Sequence, residues 1–205
     1  LSADQFNKPF LEYLFRLTDQ IRKIAKTKEG ALFLANLLPH KRVMLYFTQP
    51  STRTFLSFQT ACHILGMKTS EIRDPRTSSE QKGESLEDSL RTFSSYVNLI
   101  IMRSPIAGLC DRVASLLNET YRPVSVINAG SGPDEHPTQA LLDIYTLHRG
   151  FENLGGITRK KICIIGDLKR GRTVRSLAKI LSLFDDISLE FVSHPSLRIK
   201  SDLRS

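Results

Sequence analysis

A chain of 205 residues, 40% apolar and 24% charged, can bury a sizeable core as one large domain or one and a half ordinary ones. Its net charge of +8 favours anionic partners, yet no long Lys/Arg run, no Trp and no aromatic–basic interleaving accompany it, which excludes an evident nucleic-acid binder. Cys62, Cys110 and Cys163 lie far apart within apolar patterns, which excludes a disulfide framework and metal-ligand spacing and fits a reducing compartment. No apolar run approaches the roughly 20 residues that span a membrane. A cytoplasmic protein with no membrane partner is expected, and the opening at Leu1 without an initiator Met leaves a removed organelle-targeting segment open.

In chain order, Ser2 to Phe6 reads as a capped helix start, continued by an apolar stripe at Phe10, Leu11, Leu14, Phe15, Leu17 and Ile21. Val43 to Phe47 reads as a buried strand. It leads into Pro50-Ser51-Thr52-Arg53-Thr54, after which Phe55, Phe58, Cys62 and Leu65 recur at helical spacing. A strand ending in a hydroxyl-rich turn that starts a helix leaves unpaired N–H groups where the helix dipole favours an anion. Ser51, Thr52 and Thr54 add hydroxyl donors and Arg53 a guanidinium fork, so the turn reads as a phosphate cradle or as an ordinary Ser/Thr cap beside a solvated arginine. Beyond Gly66, the polar stretch from Arg73 to Glu84 is a surface loop or a functional lid.

From Ser85 the pattern alternates: helix to Tyr96, strand at Leu99–Met102, helix at Ala107–Leu117, strand at Val124–Ile127, helix at Pro137–Leu147. Strands separated by helices imply an α/β fold with a parallel sheet flanked by helices. Ligands of such sheets bind beyond the carboxyl ends of the strands. Polar residues fall at those ends: Ser51–Thr54, Arg103-Ser104-Pro105, and Asn128 to Gln139. Glycines at 150, 155 and 156 mark a linker. A second unit then begins with a strand at Lys161–Ile165, a helix at Val174–Leu183 and a strand at Ser188–Val192. One βαβ unit cannot bury both faces of a sheet. The expected division is therefore a domain over residues 1–149 and an incomplete second domain over 150–205.

Arg53, Thr54, Arg103, His136 and Gln139, with Arg172 as a further candidate, gather positive charge that needs an anion between the arginines. A histidine among arginines favours its neutral form. Neutral imidazole donates one hydrogen bond to a carbonyl oxygen, and the Gln amide offers a donor and an acceptor to a planar amide-like group. Taken together these residues describe a site for a phosphate attached to a polarised carbonyl.

Four segments in order, Ser51-Thr52-Arg53-Thr54, Met102-Arg103-Ser104-Pro105, His136-Pro137-Thr138-Gln139-Ala140-Leu141-Leu142-Asp143 and Gly166-Asp167-Leu168-Lys169-Arg170-Gly171-Arg172-Thr173, resemble the catalytic chains of the aspartate carbamoyltransferases. The resemblance implies a carbamoyltransferase-like two-domain architecture and transfer of the carbamoyl group of carbamoyl phosphate to L-aspartate, in pyrimidine synthesis, with no metal and no organic cofactor. It implies that Ser51, Thr52, Arg53 and Thr54 hold the phosphate. Thr54, Arg103 and His136 would bind the carbonyl oxygen and Gln139 the carbamoyl nitrogen. Ser78 and Lys82 would reach a neighbouring subunit's site in a homotrimer, which turns the polar loop into a functional one. Lys82 and Arg172 would bind aspartate.

Two departures stand out. The family usually follows the Ser-Thr-Arg-Thr core with Arg-Leu-Ser-Phe-Glu, whereas this chain has Phe55 and Gln59 at the two charged positions. The family's later Arg-x-Gln and His-Pro-Leu-Pro segments have no counterpart here. A related transferase acting on ornithine, or a non-catalytic homologue serving as a scaffold, are the alternatives. The usual His-Pro-Cys-Gln of the ornithine branch differs from His136-Pro137-Thr138-Gln139.

Overall fold

A computed structural model describes residues 2–73, 85–132, 136–169 and 171–199, with Arg172 described by its backbone. Two compact units are present: Asp19–Gly132, and Ser2–Thr18 together with the described residues after 132. The α/β class and the parallel sheet flanked by helices are as expected.

The first unit is built on four parallel strands, β1 (Arg42–Phe47), β2 (Lys68–Ile72), β3 (Leu99–Ser104) and β4 (Ser125–Ser131), in the order β2-β1-β3-β4. Side chains alternate across a strand, so β1 feeds two cores. Val43, Leu45 and Phe47 join Phe55 and Cys62 of α3 (Thr52–Ile64) on one face, with Ile101 and Ala129. Met44 and Tyr46 join the other face, under α4 (Leu86–Ser94) and α5 (Leu109–Asn118), with Leu90, Ile100, Met102, Cys110 and Leu117. Covering on both faces is why β1 and β3 read as continuous apolar runs.

The strand order places a topological switch point between β1 and β3. The chain leaves β1 toward β2 on one side and returns to β3 on the other, so the connections after β1 and β3 part and leave a crevice at their carboxyl ends. Register pairs Phe47 with Arg103 at that end. The Arg103 carbonyl then accepts the Thr48 N–H at 2.9 Å and the Gln49 N–H at 3.3 Å. The turn that carries Ser51 is thereby tied to the end of β3.

In the second unit, β5 (Lys161–Ile165) and β6 (Ser188–Val192) pair in parallel. One face packs under α6 (Pro137–Gly150) and α7 (Arg172–Leu181), around Ile144, Ile162, Ile180 and Leu181. On the other face Cys163, Ile165 and Val192 are exposed, and Lys161 meets Glu190 at 2.6 Å. The amino-terminal part of α1 (Lys8–Ile24) buries Leu11 and Phe15 in the same core. Two ion pairs hold the start of the chain there, Asp4–Lys179 and Lys8–Asp185, each at 2.9 Å.

The local outcome differs from the sequence reading in three places. The first helix does not start at Ser2: that serine caps a single 3-10 turn, Ala3–Gln5, and Asn7 Oδ1 accepts the Phe10 N–H at 2.9 Å to start α1. A short helix α2 (Lys28–Ala35), capped by Thr27, follows where none is expected. The strand β2 was not expected either: Lys-Thr-Ser-Glu-Ile has no apolar run because an edge strand faces water on one side, and its charges discourage further pairing.

Candidate active site

Ser51 occupies the cap position of α3 in extended geometry (φ −164°, ψ 93°), but its side chain does not cap the helix. Its Oγ donates instead to Thr54 Oγ1 at 2.9 Å. Among the readings of this turn, the ordinary Ser cap is therefore excluded. Thr54 accepts from Ser51, so its own hydroxyl hydrogen is directed elsewhere, and a chain of two hydroxyls polarises that donor. The first turn holds no acidic residue. Arg53 is exposed and forms no ion pair among the described residues. Thr52 is exposed, and Ser51 and Thr54 are half-buried.

Arg103 differs in kind from Arg53. It is 7% exposed, and its Nη1 donates to the Ala129 carbonyl at 3.0 Å. A guanidinium this buried is strongly oriented, because removing charge from water is costly unless hydrogen bonds replace the lost solvation. The adjoining turn is equally close-packed: Gly132 N–H donates to the Ser104 carbonyl at 2.9 Å with φ +48°, and a Cβ there would lie 3.0 Å from Ala107 N. Asn128 Oδ1 accepts the Gly130 N–H at 2.8 Å and its Nδ2 donates to Ser131 Oγ at 3.2 Å. These bonds shape the end of β4.

In the second unit His136 is the cap residue of α6, with Pro137 at the first helical position. Its Nδ1 accepts the Gln139 N–H at 3.3 Å. Acceptance at Nδ1 places the proton of a neutral ring on Nε2. The His136 N–H donates to Ser176 Oγ at 3.3 Å, and Ser176, on α7, is fully buried. Gln139 Nε2 donates to Asp143 Oδ1 at 2.9 Å. The amide is thereby oriented, and its Oε1 has no protein partner among the described residues.

The structure brings Ser51, Thr52, Arg53, Thr54 and Arg103 together at one sheet end of the first unit. His136 and Gln139 lie together at the start of α6 in the second, and residue 172 begins α7 of that same unit. Ser78 and Lys82 lie outside the described residues. Ser176 and Asp143 were not foreseen as supports. Asp143 carried a signal, since it lies four residues from Gln139 on a helix. Ser176 carried none, being 40 residues from its partner.

The first unit is thus a parallel α/β domain with a hydroxyl turn and a buried arginine at the carboxyl ends of β1 and β3, where ligands of such sheets bind. Residues 1–149 match the family model for the aspartate/ornithine carbamoyltransferase, carbamoyl-P binding domain. The chain belongs to that family. It is 42% identical over 192 residues to an aspartate carbamoyltransferase catalytic subunit of Methanocaldococcus jannaschii, covering 94% of this chain and 60% of the relative. It is 38% identical over 205 residues to a chloroplastic aspartate carbamoyltransferase of Arabidopsis thaliana, covering 100% and 50%. Among solved structures, the aspartate transcarbamoylase of Trypanosoma cruzi in complex with carbamoyl phosphate and aspartate is similar at TM-score 0.86 and 34% identity, over 100% of this chain and 60% of that one. The chain thus spans between half and three fifths of the length of these relatives.

Proposed function

We propose that the protein is an aspartate carbamoyltransferase acting in pyrimidine biosynthesis, and that these residues carry its carbamoyl-phosphate half. One observation carries the reading: the Ser51 side chain leaves the start of α3 uncapped and points its hydrogen bond along the turn to Thr54, at the sheet end where β3 closes on the buried Arg103. The chain is built for an anion at that position.

In this reading the first-turn N–H groups, Ser51, Thr52 and Arg53 hold the phosphate and neutralise it as it leaves. Thr54 Oγ, the Arg103 guanidinium and His136 Nε2 donate to the carbonyl oxygen. Gln139 Oε1, with its amide nitrogen committed to Asp143, accepts from the carbamoyl N–H. The neutral amine of aspartate attacks the carbonyl carbon, negative charge grows on the oxygen against donors already in place, and the C–O bond to phosphate breaks as the carbonyl re-forms, the departing phosphate taking the proton that the amine loses. Each such donor is worth roughly 3–4 kcal/mol in the transition state. Holding two anionic substrates together against their repulsion is the remaining task. Lys82 and Arg172 are assigned to the aspartate carboxylates, and Ser78 with Lys82 to a neighbouring subunit's site in a homotrimer. No metal or organic cofactor enters this scheme, and the cytoplasm is the proposed compartment, with an organelle as the alternative that the chloroplastic relatives suggest. The division at residue 149 into a carbamoyl-phosphate domain and the start of an aspartate domain belongs to the same proposal.

The test is carbamoyl-phosphate-dependent product formation by the full-length chain, with aspartate and ornithine compared as acceptors. Turnover with aspartate supports the assignment. Turnover with ornithine alone moves it to the sister activity, and turnover with neither supports a scaffold.

A further inference from the structure

Phe55, three residues after Thr52 in α3, is 3% exposed and packs edge-on against Phe47 of β1 at a centroid separation of 5.3 Å. The guanidinium carbon of Arg73 lies 4.5 Å from the centroid of the same ring. Arg73 directly follows β2, whose last residue, Ile72, is in register with Tyr46 of β1. It therefore emerges at the carboxyl end of the sheet, the end from which the Ser51–Thr54 turn also emerges. Arg73 is exposed and makes no ion pair among the described residues.

This is an unusual place to seat a cation. The amino end of α3 already carries the positive end of the helix dipole, and its first turn holds Arg53 and no acidic residue. A guanidinium brought against the ring by its quadrupole adds to that charge rather than relieving it. Such an arrangement is favourable when an anion is shared among the cations.

We propose that Arg73 is an additional cation of the anion site at the start of α3 and that Phe55 is its positioning residue, the aromatic face serving as the seat that fixes the guanidinium. The ligand class is a phosphate or acyl phosphate. The loss of an expected arginine at position 55 is then offset by charge delivered from the neighbouring strand. The inference rests on the phosphate reading of the Ser51–Thr54 turn and adds to it a residue outside the four matching segments.

The experiment measures inorganic phosphate binding to the full-length protein by calorimetry, for wild type, Arg73→Gln, Arg73→Lys, Phe55→Leu and the Arg73→Gln/Phe55→Leu pair. Arg73→Gln is expected to weaken phosphate binding about tenfold and to flatten its salt dependence, because one screened cation has been removed. Arg73→Lys should recover about half of that loss on a logarithmic scale, since the charge remains while the flat stacking group is gone. Phe55→Leu keeps an apolar group in the core and should weaken phosphate binding several-fold in the Arg73 background but add little once Arg73→Gln is present. Unchanged phosphate affinity in Arg73→Gln would overturn the proposal, as would a Phe55→Leu effect of equal size in both backgrounds. Wild type that binds no phosphate would instead overturn the underlying reading of the turn, so the two failures are distinguishable.

Discussion

Gln139 Nε2 donates to Asp143 Oδ1 at 2.9 Å, one helical turn further along α6. In the proposed site that bond decides which end of the amide faces the carbamoyl group: with the nitrogen committed, the oxygen is left to accept from an N–H donor. Asp143→Ala releases the amide to rotate and should raise the KM for carbamoyl phosphate about tenfold, the scale of one lost charge-assisted hydrogen bond. Asp143→Asn keeps an acceptor oxygen and should stay nearer wild type. Initial-rate kinetics on the full-length enzyme separate the two.

Phe55 is a core residue as well as a seat for Arg73. It fills space between Phe47, Cys62 and Ile101, and truncation leaves a cavity that the paired strands cannot collapse into. Phe55→Ala should cost about 3–5 kcal/mol of stability. Urea unfolding measures it, and a loss below about 1 kcal/mol would show that the site relaxes freely.

Two of the cysteines should be unreactive in the folded protein. Burial pushes the Cys110 thiol up to about 12, with Asp111 adding to the effect, and burial raises Cys62 as well. The thiolate is the reactive form, so alkylation at neutral pH followed by peptide mass mapping should leave Cys62 and Cys110 unmodified until the protein unfolds.

Acid should loosen the start of the chain. The Lys179 ammonium holds Asp4 below its ordinary carboxylate range, and Lys8 does the same for Asp185. A lowered folded pKa gives stability that is present above the unfolded value of 3.8 and lost as pH falls through the folded one. Lys8 is shifted up by the same contact, so its share is lost only as pH rises through the raised lysine value. These pairs are exposed and their contribution is small. The Tm difference between wild type and Asp4→Asn should accordingly be steady from pH 7 to about 5 and shrink below about 4. A difference that grows on acidification contradicts this account.

Much of this architecture is legible in the residues. Val43 to Phe47 and Leu99 to Met102 announce buried parallel strands because both their faces are covered. The hydroxyl turn at the end of β1 announces the start of α3, which the structure places at Thr52. Other features depend on partners that periodicity cannot see. The polar strand Lys68–Ile72 is held by its register with β1 rather than by its own pattern. Ser176 becomes part of the site only because α7 packs near the start of α6, and the Arg103 carbonyl acts through a turn more than 50 residues earlier. Phe55 was visible as a departure, but only Arg73 on its ring gives that departure a physical reading.

The most direct test of the central claim follows the substrate carbonyl itself. Isotope-edited infrared spectra of carbamoyl phosphate bound to the full-length enzyme report how strongly the carbonyl oxygen is hydrogen-bonded. The proposal predicts that hydrogen bonds from Thr54, Arg103 and His136 shift the band to lower frequency on binding. Thr54→Val and His136→Ala should each reverse part of the shift, with His136→Ala also lowering turnover by about 10²–10³. A bound band that does not respond to His136→Ala, with turnover at saturation unchanged, would contradict the assignment of these residues to one carbamoyl-transfer site.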